Sequence, residues 1–452
     1  MRSLNLMCRY ILLLLVMTPI MMMSQSRDNS PYSRFGFGDI EDDNFAYSRN
    51  MGGLAAAYYS PYEINIVNPA SLSYLLATSF DIGVSAEYKS LQDTRGQEAS
   101  LWAGNLSYVS LAFPLQNNLN DLLDRKERAV KLGMAFTIKP YSTVGYNIAS
   151  QEEVEGIGSV ERVFEGSGGT YDVTWSNAAN YKNLAFGVNT GFLLGTTTER
   201  RFVQFPNNGF IEETLIEEIN NHRGFVWRAG LLYTHYLSKR EVVDDKVTPE
   251  RRLVFGLHGN SRTNLSSDQT SFSGVIDAVL SADNFVRDTF SFSRQEGLEG
   301  KLPSEFGAGI TYYSDQKFAI GVNFTNTNWS AFESPVVNEE LNDARELSIG
   351  GFYRPNYNSV NNYFSRVHYR FGAYYKQVPT SVEFNNGRIV DDIGVTFGFS
   401  LPFFYQRKIS HAHLGAAIGL RGRDTEIEER YVRLTFSFTF NDDEWFIKRK
   451  YN

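Results

Sequence analysis

The chain has one cysteine among its 452 residues, Cys8, and it precedes the first apolar run. A disulfide scaffold, a thiolate nucleophile and a cysteine-ligated zinc site are therefore excluded from everything downstream. Long apolar runs are missing too. Beyond residue 23 no stretch approaches the ~18 apolar residues that mark a transmembrane helix. Strong charge of one sign is also missing. The net charge of -8 is spread along the chain, so no nucleic-acid partner is expected. Gly166-Ser167-Gly168-Gly169 and Phe35-Gly36-Phe37-Gly38 lack the Lys-Ser/Thr and the helix that a phosphate loop needs. His411 and His413 share a strand face but have no evident third ligand, so they read as a polar pair rather than a metal site. Nothing places a nucleophile beside a base. No enzyme activity and no cofactor are expected.

What is present begins with a targeting signature. Arg2 and Arg9 precede the apolar residues 11–17, and Ser24-Gln25-Ser26 follows. This reads as a secretory signal peptide over 1–26, with a retained anchor as the alternative. The remainder holds 34 Phe and 26 Tyr, yet mean hydropathy is only -0.30. Many aromatics in a mildly polar chain imply alternation rather than apolar blocks.

The alternation is plain at the end. Val432, Leu434, Phe436, Phe438 and Phe440 occupy one face, and Arg433, Thr435, Ser437 and Thr439 the other. Phe318, Ile320, Val322 and Phe324 repeat the period, as do Phe186, Val188, Thr190 and Phe192. The opposite faces carry mainly Gly, Ala, Ser, Thr and Asn. A soluble sandwich would show more Lys and Glu there, whereas a membrane barrel keeps small or polar residues in its lumen. Strands in lipid must close into a ring. The expected fold is all-β, a transmembrane antiparallel barrel over 77–441. Sixteen candidate strands are readable, or fourteen if the short pair around Lys139-Pro140-Tyr141 is not wall. Three of the sixteen are 182–196, 201–218 and 224–238, with a short inner turn at Thr197-Thr198-Glu199. A second inner turn is expected at Ser314-Asp315 and a long outer segment at 266–302. A helical patch at 117–127 and a periplasmic tail over 442–452 complete the outline.

Residues 27–76 do not alternate. Their Gly, Ala, Ser, Asn and Tyr content suits a plug starting at the barrel's lower mouth, with a periplasmic arm as the alternative. Pro69 biases Asn68 away from helix, so Asn68-Pro69-Ala70 reads as the turn that passes the segment to the first strand.

Met51-Gly52-Gly53-Leu54, Asn68-Pro69-Ala70, Leu302-Pro303, Ile310-Thr311-Tyr312, the segment at Trp329, Gly398-Phe399-Ser400-Leu401-Pro402 and the terminal Trp445-Phe446-Ile447-Lys448-Arg449-Lys450 occur in that order. Together they resemble the outer-membrane hydrophobic-compound transporter family, which handles long-chain fatty acids and toluene, in its Bacteroidetes form. The resemblance implies fourteen strands, an N-terminal hatch in the lumen, and bacterial outer-membrane uptake of hydrophobic compounds. Similar barrels also serve as accessory subunits of outer-membrane complexes for protein assembly or type IX secretion, and that is the alternative function. Arg34, Phe35, Phe37, Phe45, Arg49, Tyr58 and Tyr59 are the candidate ligand-binding residues. The aromatics could line an apolar pocket or pack plug against wall. The two arginines could meet a fatty-acid carboxylate or pair with Glu41, Asp42 or Asp43. Gly52, Gly53, Asn68, Pro69 and Ala70 are the candidate plug hinge. The expected partners are outer-membrane lipid and lipopolysaccharide, a hydrophobic small molecule, or other outer-membrane proteins.

Overall fold

The computed structural model describes residues 30–116, 128–156, 158–205, 212–238, 241–243, 246–277, 285–336, 339–383, 387–405 and 408–442. The expected signal peptide, the helical patch at 117–127 and the tail after 442 lie outside them.

The strands in chain order are β1 (Asp39–Ile40), β2 (Thr78–Asp93), β3 (Glu98–Pro114), β4 (Val130–Val154), β5 (Gly158–Tyr181), β6 (Leu184–Gln204), β7 (Glu212–Ser238), β8 (Glu241–Val243), β9 (Lys246–Thr248), β10 (Arg251–Asn260), β11 (Thr263–Asp277), β12 (Phe285–Leu302), β13 (Glu305–Ser314), β14 (Phe318–Thr327), β15 (Ala344–Tyr353), β16 (His368–Val378), β17 (Val390–Tyr405), β18 (Lys408–Arg421) and β19 (Ile427–Asp442). Fourteen of them make a closed antiparallel wall. Strands β2 to β7 pair in succession. β7 then pairs with β10 and β10 with β13, and the order runs on to β19. β19 returns to β2, with Thr78 opposite Asp442. Both ends of the wall therefore lie on one rim, taken as the inner one.

The route to fourteen differs from the sequence reading. Pro140 does not split its strand. It sits at a bulge inside β4, between Pro140 and Ser142, which absorbs the missing N–H. The stretch at Thr197-Thr198-Glu199 is not a turn but the interior of β6. Its charged residues suit a strand that rises above the lipid. The segment at 266–302 lies on the outer side, as expected, but it is a hairpin, β11 on β12, with β11 registered on the upper half of β7. The turn at Ser314-Asp315 lies on the inner rim, between β13 and β14.

Wall height is uneven. β13, β14 and β15 have 10 residues each, close to the ~9–11 that a tilted strand needs to cross a bilayer, while β4 and β7 have 25 and 27. The tall side continues into the β11–β12 hairpin. Large apolar side chains such as Phe186, Phe192, Phe306, Phe397 and Leu434 are exposed on the outward face. In water that surface would be unfavourable, and in lipid it is the stabilising one.

Residues between 30 and 77 contact wall strands on several sides, among them β4, β7, β16, β18 and β19. The described chain starts at the outer end, where Ser30 N donates to Gly145 O and Ser30 Oγ bonds Glu429. This differs from the lower-mouth start that the sequence suggests. From there the chain descends and joins β2 at the inner rim.

Candidate functional site

Inward glycines determine how close the N-terminal segment can come. A Cβ at Gly133 would fall on Leu72 O, at Gly187 on the Pro69 carbonyl carbon, and at Gly256 on Ala56 O. At Gly350 it would fall on Met51 O, and at Gly372 on Gly52 N. Backbone thus meets backbone at these positions, and none of them has room for a methyl group. Gly52 and Gly53 have φ of 69° and 90°. Side chains rarely adopt that conformation, and a Cβ at Gly52 would stand 2.8 Å from Ala373 O.

Asn68 fixes the lower bend. Its Oδ1 accepts from Ala70 N, capping the 3-10 turn Pro69–Tyr74. Its Nδ2 donates to Ala56 O at 2.6 Å, Leu231 O at 3.1 Å and Leu257 O at 3.3 Å. One amide therefore ties two passes of the segment to β7 and β10. Nearby, Tyr58 OH donates to Glu63 at 2.6 Å, and Glu63 pairs with the fully buried Arg370. Arg370 Nε donates to Ser400 at 2.7 Å, and Ser400 meets His413 Nδ1 at 2.7 Å. His413 Nε2 meets Thr439 at 3.0 Å, and Thr439 donates to Asp81 at 2.6 Å. This hydrogen-bonded chain crosses β16 to β19 and reaches β2. His413 is one of its members, and among the described residues no group of His, Cys, Asp and Glu could hold a metal.

At the outer mouth the segment presents an acidic run. Asp39 pairs with Arg421 at 2.9 Å, and Asp42 with Lys376 at 3.1 Å. Asp43 bridges Lys139 and Arg228. Glu41 accepts from Thr143 at 2.9 Å. The run is strapped to β4, β7, β16 and β18. Burial alone would raise the Asp42 and Asp43 carboxyls, but Lys376 with Arg49, and Lys139 with Arg228, outweigh it and hold both below the ordinary carboxylate range.

Against this strap lies a cavity of about 240 Å³. Eight carboxylates and six cationic side chains line it, with Tyr141, Tyr374 and Trp329 between them. Its lining carries many charged side chains, whereas pockets that hold hydrophobic ligands usually have few.

The residues expected to bind a ligand do not converge on one pocket. Phe45 stacks on Tyr108 with centroids 3.8 Å apart, and Tyr59 stacks on Tyr74 at 3.9 Å. Tyr58 packs near Phe352, and Phe37 against His222, Tyr141 and Phe332. Arg34 lies over the Phe164 ring at 4.5 Å. Phe35 N donates to Tyr32 O. Arg49 bonds Ser107 and the Asp42 carbonyl, and it alone of the seven lines the larger cavity. Of the hinge candidates, Gly52 and Gly53 line it as well, while Pro69 and Ala70 are buried in the 3-10 turn. The acidic run is held mainly by wall residues rather than by Arg34 or Arg49. Residues 139, 228, 376 and 421 were not legible as its partners, because only closure of the ring brings them to the mouth.

Among the described residues the pairing of β3 with β4 is partial. β3 and β4 are in register from Val109–Ile138 down to Pro114–Gly133. Above that level β3 is registered with β2 alone. β1 occupies the edge of β4 there, with Asp39 opposite Thr143 and Ile40 opposite Ser142.

A closed fourteen-strand antiparallel barrel with an outward apolar band is a bacterial outer-membrane protein. Solved structures share the fold. Over 88% of this chain and 99% of theirs, the Pseudomonas putida toluene transporter TodX aligns at 16% identity with a TM-score of 0.52. The Ralstonia pickettii toluene transporter TbuX covers 89% and 99% at 14% identity, TM-score 0.52. A Pseudomonas aeruginosa FadL homologue covers 90% and 99% at 12% identity, TM-score 0.53. The curated proteins contain no match to the sequence. The family model BamG matches residues 6–452, and the chain belongs to that family.

Proposed function

We propose that this barrel is a non-transporting accessory subunit of a multi-protein outer-membrane complex, for protein assembly or type IX secretion, with 27–76 as a fixed plug. The observation that carries this reading is the close contact between wall glycines and the backbone of residues 51–72. The hairpin above the lipid band supports it as well. Phe290 and Phe292 there are 62% and 66% exposed, as suits a surface that meets protein.

The second reading is uptake of a hydrophobic compound of the kind named for TodX and TbuX. It is favoured by the partial pairing of β3 with β4. In that reading the β1 bridge is the removable element, and the ligand avoids the charged chamber.

The deciding experiment is extraction of native outer membranes in a gentle detergent, capture of this chain, and mass spectrometry of proteins and lipids. Stoichiometric protein partners support the subunit reading. A lone barrel carrying fatty acid or another apolar compound overturns it in favour of uptake.

A further inference from the structure

We propose that the inner rim carries a binding site for an anionic phospholipid of the inner leaflet, built on the connection between β15 and β16. This connection, 354–367, and the β13–β14 turn leave the wall side by side. Its backbone is tied down. Asn356 N donates to Ser365 O at 2.8 Å and closes the loop on itself, and Arg354 N donates to Lys317 O at 2.7 Å. Arg354 Nε and Nη2 donate to Gln316 O and Oε1, both at 3.0 Å. Even so, Val360 is 89% and Phe364 69% exposed. A fixed loop that holds apolar side chains away from the rest of the chain draws their cover from outside it.

Position says what that cover is. Tyr353, Tyr369 and Phe399 stand opposite one another across β15, β16 and β17. Phe399 is two residues from the outward Phe397, so this row belongs to the lipid face. The Tyr369 ring meets Phe399 edge-on at 5.7 Å, and its OH donates to Phe364 O at 3.1 Å. Tyr363 OH donates to Pro402 O of β17, also at 3.1 Å. The apolar band therefore continues without a break into the loop, at the level where aromatic side chains meet lipid headgroups. Charge then selects the headgroup. No Asp or Glu occurs between Glu346 and Glu383, and over 315–317 and 354–367 there are three cations and one acid. That acid, Asp315, accepts from Glu250 N at 2.8 Å. Lys317 Nζ lies 5.9 Å from the centre of the Tyr353 ring, and the Arg366 guanidinium 5.3 Å from that of Tyr363. Both cations thus stand against aromatic rings beside the lipid face. A phosphodiester offers them charge-assisted hydrogen bonds. A choline headgroup has the same phosphate but brings a cation of its own, so a glycerol headgroup fits better.

The test uses the purified barrel in phosphatidylcholine bilayers, with a bimane on Val360→Cys, since the chain has no thiol after Cys8. Brominated phosphatidylglycerol or brominated phosphatidylcholine is added as quencher at equal mole fraction. Quenching about threefold stronger by the glycerol lipid is expected. Lys317→Gln with Arg366→Gln is expected to bring the two lipids to parity. Arg95→Gln, on the outer turn between β2 and β3, is expected to leave the preference unchanged. Heat-modifiable gel migration reports that each variant is folded. Should the double variant fail to fold, Lys317→Gln alone is expected to halve the preference. The proposal is overturned if the two lipids quench equally in the otherwise unaltered barrel, or if folded variants keep the full preference. It is overturned also if iodide on both sides of the bilayer quenches the probe and neither lipid does, which would give the loop to a periplasmic protein. The result does not depend on which functional reading holds, so the two questions are answered separately.

Discussion

Arg370 and Glu63 show what a single residue can hold. Their side chains are 0% and 4% exposed, and the pair joins the N-terminal segment to β16. Breaking a buried pair strands a charge, at a cost of ~3–5 kcal/mol. Arg370→Met is expected to lower the temperature at which the barrel loses its heat-modifiable gel shift. Arg370→Met with Glu63→Gln is expected to recover part of the loss, because the stranded charge is gone. A double variant no more stable than the single one would mean that the pair is not the source. The strap makes a pH prediction. Asp42 and Asp43 are depressed below the ~3.9 of an unfolded aspartate. Their stabilisation is therefore complete above about pH 5 and is lost only as pH falls through the lower folded values. Unfolding temperatures measured from pH 8 to pH 5 should show no loss attributable to the strap. The sequence disclosed some of this. Asn68-Pro69-Ala70 was legible as a turn because its cap is local. The partners of Asp42 and Asp43 were not, since an ion pair across 96 or 334 residues leaves no mark in local spacing.

At the scale of elements, strands whose two faces differ in chemistry declared themselves, β19 and β14 most clearly. Errors fell where the lipid ends. Above the bilayer both faces of a strand are free to be polar, so period two fades, and Thr197-Thr198-Glu199 looked like a turn while remaining in β6. The hairpin of β11 and β12 was hidden for the same reason. Pro140 misled differently, because a bulge admits proline without ending β4. The inward glycines were visible as a small-residue face, but their close contact with another backbone was not. That contact is testable. Gly350→Val is expected to displace residues 51–52, where a Cβ has no room. A cysteine at Ala57, which is fully buried, would report the displacement by reacting with maleimide. Cys8 lies in the expected leader, so the probe is the one thiol of the mature chain. The Gly350→Val background should label about tenfold faster, equivalent to ~1.4 kcal/mol of easier opening. Equal labelling rates would mean that the wall tolerates the added side chain.

At the scale of the whole molecule, the strap, the glycine contacts and the buried Arg370 chain act at three successive depths. The intact barrel should therefore conduct little current in a planar lipid bilayer. Neutralising the strap with Asp42→Asn and Asp43→Asn would free the outermost level alone. Conductance should stay near the wild-type value in that variant, and rise only when Gly350→Val is added. A large current from the strap variant alone would show that the lower levels do not seal.

The closure of β19 on β2 bears on the order of events at birth. β19 closes on β2 through sixteen registered residues, Thr78 to Asp93 against Asp442 to Ile427, so the ring cannot be completed until the last strand exists. Residues 51–72 are made before any strand of the ring. They are therefore on hand as a mandrel on which the later strands can be laid. A chain deprived of that stretch would have to close on empty space.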